Sequence, residues 1–502
     1  MLESVFFYLY NKLTNNKFAL IFCFFILKMF ISEAQISDKN ILDSLQKLEA
    51  RITPKGLKDQ HPFQSFITLR PVSDKDSVAL ELAEYQYENG ARVFLMNTPY
   101  EKNVIHLKAI SWGGYSLYDD EEDRKLVYSS PFVAQELGVG NLSREELEYL
   151  LSGIKGENNK IDFKINELNE EMNIQFGGEQ FEPILKVIYN YFTNFTTQNK
   201  QFLLKGEDNT RLYKLYKNNF KMSKADSILM LFENEHLIEK SCNFPSLTNP
   251  EKFARAHQLL KERFADGGDF TFVFVGDFSK AQNMVGVFNK YIGNLPKDDK
   301  GEFCKFLPNA LKKIDNIDFK GDTLFNRPIA IFHYEDSILY SAENIINAFY
   351  MTKLYNYQLR LASKKVDLGK LALSSAYFNT IHYPFSKLIF NITFESMSVT
   401  EYKNWDKIVE NKIIEIQNKP LTHNEIEEIN QYILSLYYNR RYENSNIYLE
   451  YLTQNIMEGL ELDKLFKRGE FEAYLKTFTP EKIQQLAKQY WNVERRTKIS
   501  QN

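Results

Sequence analysis

Apolar positions recur along this chain with two periods, near two in some stretches and near 3.6 in others. The run Phe270-Thr271-Phe272-Val273-Phe274-Val275 is β-branched and aromatic and carries no charge. That composition predicts a strand buried on both faces. Gly276-Asp277 closes the run, and Ser279 with Gln282 predicts a capping box for the helix that follows. Met284, Val285, Phe288, Tyr291 and Ile292 then fall at helical spacing and predict one apolar stripe, which Gly293 and Leu295-Pro296 terminate. This strand, turn and helix divide the chain into two nearly equal halves.

Upstream, Glu88-Asn89-Gly90-Ala91 is a hairpin cue leading into Arg92 to Met96. Val104 to Ile110 alternates apolar and polar residues, which predicts a strand facing core on one side only. Trp112-Gly113-Gly114-Tyr115-Ser116 marks its end. Lys125 to Leu137 reads as a helix broken at Pro131, and Ser143 with Glu146 as a capping box. Ile161 to Phe176 reads as strand or hairpin, Gly177-Gly178 as a turn, and Phe181, Ile184, Leu185, Ile188 and Phe192 as the stripe of a helix. Downstream, the spacing predicts a long helix over 342–363, alternating segments over 371–378 and a strand over 388–394. Thr422 with Glu425, and Thr479 followed by Pro480, predict two further helix starts. Residues 35–78 are polar, with Ile41, Leu42, Leu45 and Leu48 able to form one short amphipathic helix, and read as a leader without a core of its own.

Length and composition narrow the class. At 502 residues the chain exceeds one ordinary core, since a domain takes roughly 100–200 residues. Hydrophobic content of 44% with 25% charged residues is globular, and a net charge of −4 gives no field that would recruit nucleic acid. Lys12 and Lys17 precede the ten apolar residues Phe18 to Leu27, and Ser32-Glu33-Ala34 follows. This pattern predicts a secretory signal peptide over 1–34, cleaved after Ala34, hence a secreted or periplasmic chain with no transmembrane anchor after cleavage. The alternative is an uncleaved anchor, for which the run is short. Cys23 falls within the signal, and Cys242 and Cys304 are as consistent with free thiols as with one disulfide.

Taken in order, NGARV at 89–93, the Ala-x-Ser-x-Gly-Gly-x-Ser run at 109–116, LGVGNLSREELEYLLSGIK at 137–155, FGG at 176–178 and the FVFVGD…YIGNLP stretch up to Pro296 resemble a domain of the insulinase/pitrilysin family of zinc peptidases. The resemblance covers roughly 80–495 and is to the C-terminal, non-catalytic half of the long bacterial members. It implies an α/β fold of two tandem domains, 79–297 and 325–502, joined by a hinge at 298–324. Each would be a mixed or antiparallel sheet covered by helices on one face.

The same resemblance sets an expectation for chemistry. The family holds zinc with an inverted His-x-x-Glu-His on a helix. By order that helix is Lys125 to Leu137, which contains no histidine and, in its later part, only Glu136 as an acid. A lone carboxylate does not make a zinc site. The family's other half adds a basic residue and a tyrosine that polarise the substrate carbonyl. Here Lys365 and Ala372 fall at those positions, with Arg360 and Tyr377 out of register. His236 and Glu239 have the spacing of half a motif, but Lys240 stands where the second histidine belongs, so they read as a weak decoy. His257 with Glu262, and His423 with Glu425, give no standard metal spacing. No Gly-x-Ser-x-Gly, phosphate loop or dinucleotide fingerprint occurs. The expectation is a chain that holds no metal itself and lines a peptide-binding chamber with a zinc-bearing half or a second copy. The alternatives are an envelope peptide- or protein-binding scaffold and a zinc endopeptidase with an unrecognised site.

Overall fold

The computed structural model describes residues 43–69, 80–152, 161–195, 247–298, 316–318, 329–336, 341–365, 373–381, 387–395, 398–439, 444–457, 459 and 468–501, apart from 167 and 248. Residues 43–52 form helix α1. The strands of the first unit are β1 (Phe63–Leu69), β2 (Leu80–Gln86), β3 (Arg92–Asn97), β4 (Ile105–Trp112), β5 (Asp162–Ile165), β6 (Asn169–Phe176) and β7 (Thr271–Gly276). They make one sheet in the order β1-β2-β3-β7-β4-β6-β5, in which only the β3–β7 pair is parallel. The first unit's later helices are α2 (Glu121–Ser129), α3 (Pro131–Glu136), α4 (Arg144–Ser152), α5 (Phe181–Thr193), α6 (Pro250–Arg263) and α7 (Met284–Tyr291).

The charge-free run at 270–275 becomes the central strand β7, buried along its whole length. Phe272 and Phe274 point into the helix-covered core, where Phe274 meets Phe181 and Phe288 at ring-centroid distances of 5.7 and 4.9 Å. Such pairs are worth about 0.5–1.5 kcal/mol beyond area burial. The hairpin at Asn89-Gly90 forms as its residues predict, with Gly90 at φ 102° and the Asn89 side-chain amide donating to the carbonyls of Ile292 and Leu295. The Ser143–Glu146 capping box also forms. The one at Ser279–Gln282 does not. The Asp277 carboxylate accepts from the Ser279 amide instead, and the helix starts at Met284 after Asn283, which adopts the left-handed conformation. Val285, expected in the apolar stripe, is consequently exposed.

The second unit holds β8 (Asn316–Asp318), β9 (Ile329–Asp336), β10 (Leu373–Ile381), β11 (Lys387–Glu395) and β12 (Arg496–Gln501). These form a sheet in the order β10-β11-β9-β12-β8, with β12 and β8 parallel. Its helices are α8 (Ala342–Lys365), α9 (Val399–Asn418), α10 (His423–Asn439), α11 (Ser445–Met457), α12 (Arg468–Leu475) and α13 (Pro480–Tyr490). Thr422 and Thr479 cap α10 and α13 as the sequence predicts. Trp405 and Trp491 anchor the core between sheet and helices.

Three expectations are corrected by packing. The leader at 35–78 is not coreless: β1 pairs with β2 along seven residues, and Ile52 of α1 is buried in the first core. The stretch assigned to a hinge, 298–324, supplies β8 to the second sheet. The first sheet is not covered by helices on one face alone. On its other face Leu82, Phe94, Met96, Val273 and Val275 pack against Tyr448, Leu449, Leu452 and Ile456 of α11, a helix from the second half. That is why β4, expected to be half solvated, is buried along both faces.

Candidate functional site

The helix that the resemblance assigns to metal binding is broken as expected, into α2 and α3 at Ser130-Pro131. Ser129 and Ser130 turn their hydroxyls back onto the carbonyls of Lys125 and Val127. This satisfies the helix end that Pro131 interrupts. Asp120 caps α2, which opens with Glu121, Glu122 and Asp123. Acids here suit the positive end of the helix dipole, and each is also matched by a base. Glu121 pairs with Lys125 within the helix, Glu122 with Lys252 at 2.6 Å, and Asp123 with the Arg255 guanidinium in a two-pronged contact. Lys252 and Arg255 lie on α6, so this face of α2 is stapled to α6.

Beneath the staple lies a more deeply buried knot. Gly113 and Gly114 take φ values of 148° and 64°, which the Trp-Gly-Gly-Tyr-Ser turn requires. The turn presents the Gly114 amide to the Glu170 carboxylate at 2.7 Å, and the Arg263 guanidinium lies 3.6 Å from the other Glu170 oxygen. Arg263 also donates to the Tyr118 hydroxyl, which donates in turn to Glu262. These groups form a compensated network around α6. Metal binding needs several unpaired, converging donors. Among the described residues no group of three His, Cys, Asp or Glu side chains converges in this way.

Of the residues singled out from sequence, Glu136 closes α3 in the first unit and Lys365 closes α8 in the second. Ala372, the decoy pair His236 and Glu239, and Cys23, Cys242 and Cys304 lie outside the described residues. Arg360 packs its guanidinium over the rings of Tyr357 and Tyr432, at 6.0 and 5.4 Å, and Tyr377 sits on β10 opposite Asn391. His257 is buried against the Phe195 ring, and burial with the nearby Lys261 charge holds its imidazole down to about 4.

Sequence reasoning missed the polar contact between the halves. Lys108, buried on β4, pairs with Glu171 at 3.2 Å and with Glu450 of α11 at 2.8 Å. Both carboxylates hold its ammonium above the usual lysine range against the opposing effect of burial. Glu101 accepts from the Ser445 amide at the start of α11 and lies 3.0 Å from His106, while Thr98 and Ser445 share a hydrogen bond of 2.8 Å. The available signal was Lys108 itself, the single lysine, arginine or acid of β4.

Compared with known proteins, the chain is 23% identical over 238 residues to the probable zinc protease PqqL of Escherichia coli K12, a match covering 45% of this chain and 24% of that protein. The chain is similar in sequence to this zinc protease and has the fold of insulinase-like peptidases. The solved structure of periplasmic protease PqqL superposes with a TM-score of 0.60 at 16% identity, covering 90% of this chain and 47% of PqqL. The chain therefore spans about half the length of that protein. The first half of PqqL alone gives 0.65 at 11% identity, over 86% of this chain and 93% of that half. A peptidase M16 inactive domain from Pseudomonas fluorescens gives 0.59 at 14%, covering 84% of this chain and 98% of that domain. No family profile matches the chain. The first half of PqqL and the inactive domain superpose on the chain about equally well, so the fold does not distinguish between them.

Proposed function

We propose that this chain is an exported, non-catalytic half of an insulinase-like peptidase, which closes with a zinc-bearing half around a chamber that takes extended peptides. The observation that carries the reading is the state of α2 and α3. The helix has no histidine, and the acids of its first turn are committed to Lys125, Lys252 and Arg255. Breaking these pairs to make room for a dication would strand two bases of α6. Its likeness to an inactive M16 domain, covered to 98%, supports a half-molecule. Export rests on the basic and apolar pattern over 1–34 and on the periplasmic location of PqqL. Among the described residues no helix is long and apolar enough to cross a membrane.

The test is co-expression with an insulinase-like half that carries His-x-x-Glu-His from the same genome. We expect the purified chain alone to hold no stoichiometric zinc and to leave unstructured peptides intact, and the pair to co-elute and cleave them. A zinc half fully active alone, with no complex by light scattering, would remove the partner role. One tightly held zinc per chain, with chelator-sensitive turnover by the chain alone, would remove the non-catalytic reading.

A further inference from the structure

A cavity of about 600 Å³ opens between the end of α5 and one face of α6, within the range of small-ligand sites. Ala254, His257 and Lys261 line it from α6, at the spacing of a single helical face, and Tyr191, Phe192 and Phe195 line it from the other side. The walls are thus largely apolar. Within them His257 is 8% exposed, and its Nε2 has no hydrogen-bond partner among the described residues. A buried ring nitrogen left unpaired calls for an explanation, since most such groups are satisfied. At the rim, both Glu262 oxygens are engaged, one accepting from Gln258 and the other from Tyr118. Lys261 makes no ion pair among the described residues, so its ammonium stands at the rim beside the engaged Glu262 carboxylate.

We propose that this cavity binds the carboxyl-terminal residue of a peptide that ends in an apolar side chain. The side chain enters the apolar walls, the terminal carboxylate meets Lys261, and His257 Nε2 supplies a hydrogen bond to the carboxylate or its adjoining amide. A neutral imidazole suits this role, because it adds no second buried charge. The site lies on this chain alone, needs neither zinc nor a partner half, and stands if the half-molecule reading fails.

The test uses the full mature chain labelled with ¹⁵N-histidine, titrated with N-acetyl-phenylalanine and with its amide, by calorimetry and histidine ring shifts. The acid is expected to bind and to shift the His257 ring resonance, with the amide about tenfold weaker, the worth of one charge-assisted contact. Lys261→Met should close the gap between acid and amide. Ala254→Trp fills the mouth from a solvent-exposed helix position, so it should abolish binding while leaving the thermal midpoint in place. Absence of binding in the millimolar range, equal affinity for acid and amide, or binding unchanged by Ala254→Trp would each overturn the proposal.

Discussion

Truncating Leu452 to alanine tests whether α11 is what joins the halves. Its side chain is fully buried among Leu82, Phe94, Met96, Val273 and Val275 of the first sheet, although it comes from the second half. Losing that burial costs about 2 kcal/mol of transfer energy. The cavity left against a rigid sheet raises the expected total to about 3 kcal/mol. That is roughly a 150-fold change in the folding constant. Only Tyr448, Leu449, Leu452 and Ile456 of α11 belong to this cluster, so neighbouring side chains have little means of refilling the space. Glu450→Gln is the companion. Glu450 is 56% exposed where it pairs with Lys108, and its loss should cost under about 1 kcal/mol. Urea unfolding followed by tryptophan fluorescence reads both halves, because Trp112 ends β4 while Trp405 and Trp491 are buried in the second core. A Leu452→Ala variant within about 0.5 kcal/mol of wild type, the usual scatter of surface changes, would refute the packing account. So would one no worse than Glu450→Gln.

Two further outcomes follow from local geometry. Gly276 has φ 156°, and an added Cβ would lie 2.1 Å from the Val104 carbonyl oxygen, so Gly276→Ala should lower stability by about 3 kcal/mol or more, measured by thermal unfolding. Burial, then the Lys261 charge, pushes His257 down to about 4 from 6.5, so between those pH values the unfolded chain binds more protons than the folded one and stability falls on acidification. His257→Gln should therefore lose less stability than wild type between pH 7 and pH 4.5 in parallel urea titrations, and an equal loss would show that the imidazole is not held neutral.

Local chemistry made much of this fold legible. An uncharged run such as 270–275 announces burial on both faces, a left-handed turn favours glycine or asparagine, and a threonine three residues before a glutamate announces a helix start. The family order of motifs followed from the same stretches, and so did the absence of histidine from the helix at 125–137. Periodicity, however, states that a face is covered and not by what. The second face of β7 is covered by α11, some 170 residues further along the chain, and no local pattern encodes that pairing. The same holds for residues whose role depends on a distant partner. Lys108 was visible as an anomaly, but Glu171 and Glu450 became its partners only through β6 and α11. Ile52 and β1 looked like leader because a single buried side chain and an edge strand are too short to establish a period. His257 drew notice only for lacking a metal spacing, because its burial is set by Phe195 across the groove from α6. Sequence thus determined which segments pack and which chemistry the helix at 125–137 lacks. Tertiary structure decided what they pack against, because long-range contacts arise from side chains that share no local repeat.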